Sequence, residues 1–163
     1  MSEPAFDPIA GLRALVEHDV RFVLIGGYAA ALRGSPMMTG DVDICPAGDR
    51  GNLDLLAEAL QSLHARLRGA PADVPFLLDG RTLEAGDHFT FATDAGPMDS
   101  LGTPAGTDGF ADLDAAATDE DLDGFVVRVA SLEDLIRMKR AAGRPQDQIA
   151  VEWLSALRDE LGT

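Results

Sequence analysis

The feature that most limits the fold of this chain is the succession of RFVLIGG at residues 21–27 and TGDVDIC at residues 39–45. An apolar run of strand type stops abruptly at Gly26-Gly27, and a second strand opens with Asp41-Val42-Asp43. Between them, YAAAL is rich in helix formers and is broken by Gly34-Ser35-Pro36. Two glycines after a strand let a ligand approach the backbone closely and let amides at a helix start face a phosphate. Aspartates at i and i+2 of a strand project from one face. Two such carboxylates repel each other unless a divalent cation lies between them, which is the geometry of Mg²⁺ held jointly with substrate phosphates. Apolar Val42 and Ile44 pack the opposite face, so the pair sits on a fixed strand. Alone, a Gly-Gly is usually a tight turn and an Asp-x-Asp a solvated strand face. Together, in this order, they offer a phosphate cradle and a metal pair fourteen residues apart.

The remaining punctuation outlines an α+β domain. Asp7-Pro8 reads as N-cap and first position of a helix with Ile9, Leu12, Leu15 and Val16 on one face. Asp49 caps a long helix carrying Leu53, Leu56, Leu60, Leu63 and Leu67 at helical spacing. The middle is less regular, with short strands read at 76–78 and around Thr82-Leu83. HFTFAT, the turn Asp94-Ala95-Gly96 and PMDSL form a hairpin. A turn-rich loop at 102–109 leads to a short acidic helix or lid at 110–117, and FVVRV is a further strand. Ser131 with Asp134 resembles a capping box, opening a helix that Gly143 ends. Pro145 starts a last helix through Leu161, read with Ile149, Trp153, Leu154 and Leu157 inward. The order implies one domain over 1–163, a mixed sheet flanked by helices with C-terminal helices.

Composition narrows the setting. With 46% hydrophobic and 25% charged residues, the chain is globular, and no apolar run approaches the length of a membrane span. The opening MSEPAFDPIA lacks a signal peptide's basic flank and apolar core, and Cys45 is the only cysteine, so a reducing, cytoplasmic location is expected. Cys45 itself reads as a small core residue. A net charge of −15 argues against generic nucleic-acid binding. Between Arg81 and Arg128 there are eleven acidic residues and no basic one, so a polyanion must approach elsewhere. Of thirteen basic residues twelve are arginine; the exception, Lys139, marks a position where a compact ammonium has a use distinct from a planar guanidinium, unless it is a solvated helix residue. The histidines at 18, 64 and 88 lack metal-ligand spacing, and there is no P-loop or Gly-x-Ser-x-Gly.

IGGYAAALRGSPMMTGDVDI resembles the signature of the DNA polymerase β-like nucleotidyltransferase superfamily, in which Gly-Gly or Gly-Ser precedes an Asp-x-Asp strand. SLEDLIRMKRAAGRPQDQIAVEWL is similar to the C-terminal helices of its AbiE-type toxin branch. The resemblance implies a nucleotidyltransferase fold and transfer of a nucleoside monophosphate from an NTP to a hydroxyl with two Mg²⁺ or Mn²⁺ ions. It implies that Gly26 and Gly27 contact the triphosphate and that Asp41 and Asp43 bind metal. Asp99 matches the third carboxylate, as metal ligand or base, with Asp94 as its competitor. Lys139 matches a lysine that meets nucleotide phosphates. Arg144 and Asp147 belong to an Arg-Pro-x-Asp element near the site. Thr39 either offers its hydroxyl to phosphate or caps the strand. The branch implies tRNA or other RNA as acceptor and a cognate antitoxin as partner, whereas the acidic surface leaves room for a small molecule or protein hydroxyl. Met37-Met38 stand where relatives often carry an arginine. The alternative is therefore a catalytically degenerate nucleotide- or partner-binding module.

Overall fold

A computed structural model describes residues 4–162 except 72 and 74. Asp7 accepts the Ala10 amide and Pro8 occupies the first turn, so α1 runs Pro8–Glu17. β1 (Phe22–Ile25) is buried along its length and passes straight into α2 (Gly26–Leu32), two residues earlier than the run of helix formers suggests. β2 (Val42–Pro46) returns antiparallel to β1. Asn52, buried at the start of α3 (Arg50–Ser62), locks this pair from below. Its side chain accepts the Arg21 amide and donates to the carbonyls of Arg21 and Ala47.

α3 ends at Ser62, because His64 takes a positive φ of 52° and the chain turns into β3 (Arg66–Leu67). Leu67 is therefore a strand residue and does not extend the leucine stripe. Residues 76–78 form no strand, although Phe76 packs against Phe89 and Phe91. Thr82-Leu83 lie on a helix, α4 (Gly80–Ala85), since the Asp79 side chain accepts the Thr82 amide and caps it. The hairpin forms as read, β4 (His88–Thr93) with β5 (Gly96–Leu101), followed by α5 (Phe110–Ala116).

β6 (Thr118–Leu122) precedes β7 (Phe125–Val129), closing a second hairpin through Asp123-Gly124, both at positive φ as a type I′ turn requires. α6 (Leu132–Ala142) ends at left-handed Gly143, and α7 spans Pro145–Glu160. The inward face of α7 differs from the one its apolar pattern suggests: Asp147, Ala150 and Leu154 are buried, whereas Ile149 and Trp153 are each 54% exposed.

The seven strands form one mixed sheet in the order β3-β4-β5-β2-β1-β7-β6. The β2–β5 and β1–β7 pairs are parallel and the others antiparallel. α1 and α3 cover one face, packing Leu12, Leu15, Leu56 and Leu60 into a core with Leu24, Ile44, Phe91 and Met98. α2, α5 and α6 cover part of the other face, with α7 behind α6. No described helix is long and apolar enough to cross a membrane.

Candidate active site

Strand register assembles the carboxylates. Asp43 lies opposite Ile25 on β1 and opposite Asp99 on parallel β5. Asp41, two residues ahead of Asp43, projects from the same face. One carboxylate oxygen of each of Asp41, Asp43 and Asp99 lies within 4.8 Å of the others. Asp94 is elsewhere: at the β4–β5 turn, 57% exposed and 2.5 Å from His64 Nδ1.

The two glycines sit against this group. Gly26 has φ of +74°, and a Cβ added there would run into Oδ2 of Asp43, with its Cβ and Cγ only 2.9 Å away. A side chain at 26 would thus be strained twice, once by backbone conformation and once by overlap with the carboxylate. At Gly27 a Cβ would lie 2.9 Å from Thr39 Oγ1, whose hydroxyl donates to the Asp41 carbonyl at 3.2 Å. Thr39 thereby braces the entrance to β2.

Crowding of three acids shows in their protonation. Burial, followed by the charges of Asp41 and Asp99, pushes the Asp43 carboxyl up to about 7, with Lys139 and Arg68 pulling it back. Burial also raises Asp99, opposed first by Arg68. Arg68 Nη2 lies 3.1 Å from Asp99 Oδ1 and His88 Nε2 4.0 Å from Oδ2, and Asp99 is 14% exposed. Neither Arg68 nor His88 was expected at the site. Only the β3–β4–β5 register brings them there, and no local motif carries it.

The late helices contribute the cation. Asp147, 1% exposed at the N-terminal turn of α7, receives Lys139 Nζ at 3.4 Å and Arg144 Nε at 2.7 Å. It also accepts Arg144 Nη2 at 3.1 Å and the Arg144 amide at 3.2 Å. These bonds, the Arg144 side chain foremost, hold its carboxyl at about 2, well below the usual carboxylate range. Lys139 is thereby fixed where it borders two adjoining clefts together with Asp43 and Arg144. One, of about 160 Å³, is walled by apolar Leu101, Pro104, Leu135 and Met138. The other, of about 280 Å³, is lined by Gly27, Thr39, Asp41 and both Met37 and Met38.

A divalent ion fits this donor set. Oxygen ligands at about 2.1 Å from one ion lie at most about 4.2 Å apart, so the carboxylates need close by only a few tenths of an ångström. Their mutual repulsion, visible in Asp43, is what such an ion relieves.

Among solved structures, ANT(2'')-Ia in complex with adenylyl-2''-tobramycin has 20% identity to this chain and a TM-score of 0.57, over 93% of this chain and 86% of its own. Lincosamide antibiotic adenylyltransferase LnuA, bound to lincomycin, has 12% identity and a TM-score of 0.56 over 90% and 92%. A proposed nucleotidyltransferase from Thermotoga maritima has 19% identity and a TM-score of 0.51 over 97% and 96%. No protein-family model and no curated protein matches the chain. The likenesses establish a nucleotidyltransferase fold, a mixed sheet flanked by helices.

Proposed function

We propose that the chain is an NTP-dependent nucleotidyltransferase that moves a nucleoside monophosphate to a hydroxyl. The observation that carries this reading is the convergence of Asp41, Asp43 and Asp99 within 4.8 Å on two parallel strands, with Gly26 packed against Asp43. Asp41 and Asp43 would hold Mg²⁺ or Mn²⁺, shared with Asp99 in a two-metal arrangement. When bound, the ions supply Lewis-acid charge at the α-phosphoryl group and at the acceptor oxygen. Asp99, at the edge of the group away from Lys139's helix, takes the acceptor's proton or ligates beside it. A bond forms from the acceptor oxygen to the α-phosphorus as the bond to pyrophosphate breaks. Lys139, held by Asp147 beside Arg144, neutralises phosphate oxygens not held by metal. Gly26 and Gly27 keep the cleft floor free of side chains where the triphosphate lies, and Thr39 fixes its wall.

The structural neighbours act on small antibiotics, tobramycin and lincomycin by their names, which supports transfer to a sugar-like hydroxyl. The AbiE-like helices α6 and α7 support an RNA acceptor, such as a tRNA 3′ end, with growth arrest held in check by a cognate antitoxin. Met37 and Met38, at the mouth of the larger cleft, put no cation there and favour the second reading, a degenerate nucleotide-binding or partner-binding module. One assay separates the two: each α-labelled NTP is incubated with Mg²⁺ or Mn²⁺, total RNA or cell extract, and wild type or Asp43→Asn. Label transferred by wild type and not by the variant is the expected result. NTP binding without transfer in any extract would establish the degenerate module.

A further inference from the structure

The sheet carries a line of side chains beyond the carboxylates. Asp99 is opposite Thr90 on β4, and the Arg68 amide donates to the Thr90 carbonyl at 2.9 Å, continuing the β3–β4 ladder. One rank on the same face therefore reads Arg68, Thr90, Asp99, Asp43. The next reads Arg66, Ala92, Pro97, with Asp41 beyond. Two arginines form one bank and the carboxylates the other. They are separated by two strand spacings, on the order of 10 Å, over a floor of the half-buried side chains Thr90, Ala92 and Pro97.

Arg68 reaches across this floor to Asp99 and keeps 39% of its side chain exposed. Arg66 is exposed and makes no ion pair with any described residue. In a chain of net charge −15, two arginines facing the reaction centre from one strand form a local reversal of sign. A divalent ion and the Arg68 guanidinium compete for the same Asp99 oxygens. When the ion takes them, the guanidinium stays tethered above Thr90 with its charge uncompensated. An anion entering along the floor meets it there, whereas a polycation is repelled.

We infer that Arg68 and Arg66 are the acceptor-selecting residues, binding a phosphate that the acceptor carries close to its reacting hydroxyl. The inference rests on the nucleotidyl-transfer reading of the adjoining carboxylates and names the chemistry of the second substrate. A guanidinium pair suits this role because it binds phosphate oxygens through paired N–H donors.

The test measures binding, with Mg²⁺ and a non-hydrolysable NTP analogue present. The probes are a fluorescein-labelled single-stranded RNA with a free 3′ hydroxyl, read by anisotropy, and ribose 5-phosphate, read by calorimetry. Arg66→Gln/Arg68→Gln should weaken the bound probe at least tenfold, and Arg68→Lys by less than Arg68→Gln. For RNA, the double variant should also flatten the salt dependence, by a slope of about 1.4 for two phosphate contacts. Binding of RNA alone identifies a polynucleotide end as the source of the phosphate; binding of ribose 5-phosphate identifies a free sugar phosphate. Wild type that takes neither probe, or a double variant that binds as wild type does, overturns the inference. The reading beneath it is checked separately by metal-dependent binding of the NTP analogue, which Asp43→Asn should abolish whatever the arginines do.

Discussion

Asp43 on β2 and Asp99 on β5 stand opposite each other across a parallel ladder, so neither carboxylate can move away from the other without disturbing the sheet. Two acids far apart in sequence thus share one field, and Asp43 holds its proton up to about pH 7. In the unfolded chain the same group ionises near its ordinary value of 3.8. Between these values the native state binds more protons, so stability falls as pH rises from about 4 to 7. Asp43→Asn removes that penalty. Without metal at pH 8 it should be more stable than wild type by on the order of 2 kcal/mol, or about 4–8 °C in Tm. Calorimetric scans at pH 5 and 8 check this, and an equal difference at both would refute the coupling. Metal with NTP should raise the Tm of wild type and leave the variant's unchanged.

Gly26→Ala places a methyl group on the Asp43 carboxylate at a backbone angle that L-residues rarely adopt. The expected loss is about 2–4 kcal/mol of stability, combining left-handed strain with displacement of a packed group. Metal-dependent NTP binding should disappear as well. Gly27→Ala meets only the end of the Thr39 side chain, which can rotate, and should keep most stability. Denaturant titration of both variants decides whether the two glycines differ as stated.

Asp147 anchors the cation of the site from a buried position. Its folded pKa of about 2 lies below its ordinary 3.8, so its contribution is present above pH 4 and fades as pH falls toward 2. Asp147→Asn should cost about 2–3 kcal/mol at pH 7, less than a fully buried pair because Arg144 is well solvated. It should also weaken NTP binding, since Lys139 loses its tether. Lys139→Ala should impair label transfer severely and Lys139→Arg partly, because arginine changes the shape of the head. Full activity of Lys139→Ala in a working preparation would make Lys139 a solvated helix residue.

α7 offers a test by packing. Trp153→Ala removes a half-exposed ring and should shift Tm by about 2 °C or less. Leu154→Ala, one residue on and 3% exposed, should cost about 2–5 kcal/mol. The opposite ranking would restore the inward face that the apolar pattern suggests.

That helix shows where the sequence stops being informative. Periodicity assumes that buried means apolar, so Ile149 and Trp153 read as inward. The buried position belongs to Asp147, whose ion pairs with Lys139 and Arg144 leave no periodic trace. β6 was hidden in a similar way. TDEDL has poor strand propensity and is held as an edge by pairing with FVVRV; its one local sign is the Asp123-Gly124 turn. By contrast, Gly26-Gly27, Asp41 and Asp43 were legible because the strand–turn–strand unit that positions them is local. Asp99 was reached through the hairpin, and Asp94 set aside as its tip. Arg68 and His88 were out of reach, since their distance to Asp99 follows from three strands in register and from no pattern along the chain.

The tether between Lys139 and Asp147 also has a consequence during synthesis. Asp41, Asp43 and Asp99 leave the ribosome well before either member of that pair, and β2 can meet β5 as soon as both have emerged. A nascent or prematurely terminated chain would therefore carry the acidic half of the cleft without its ammonium. Such a fragment would capture divalent ions and spare cellular nucleotides, so a stalled translation product stays harmless.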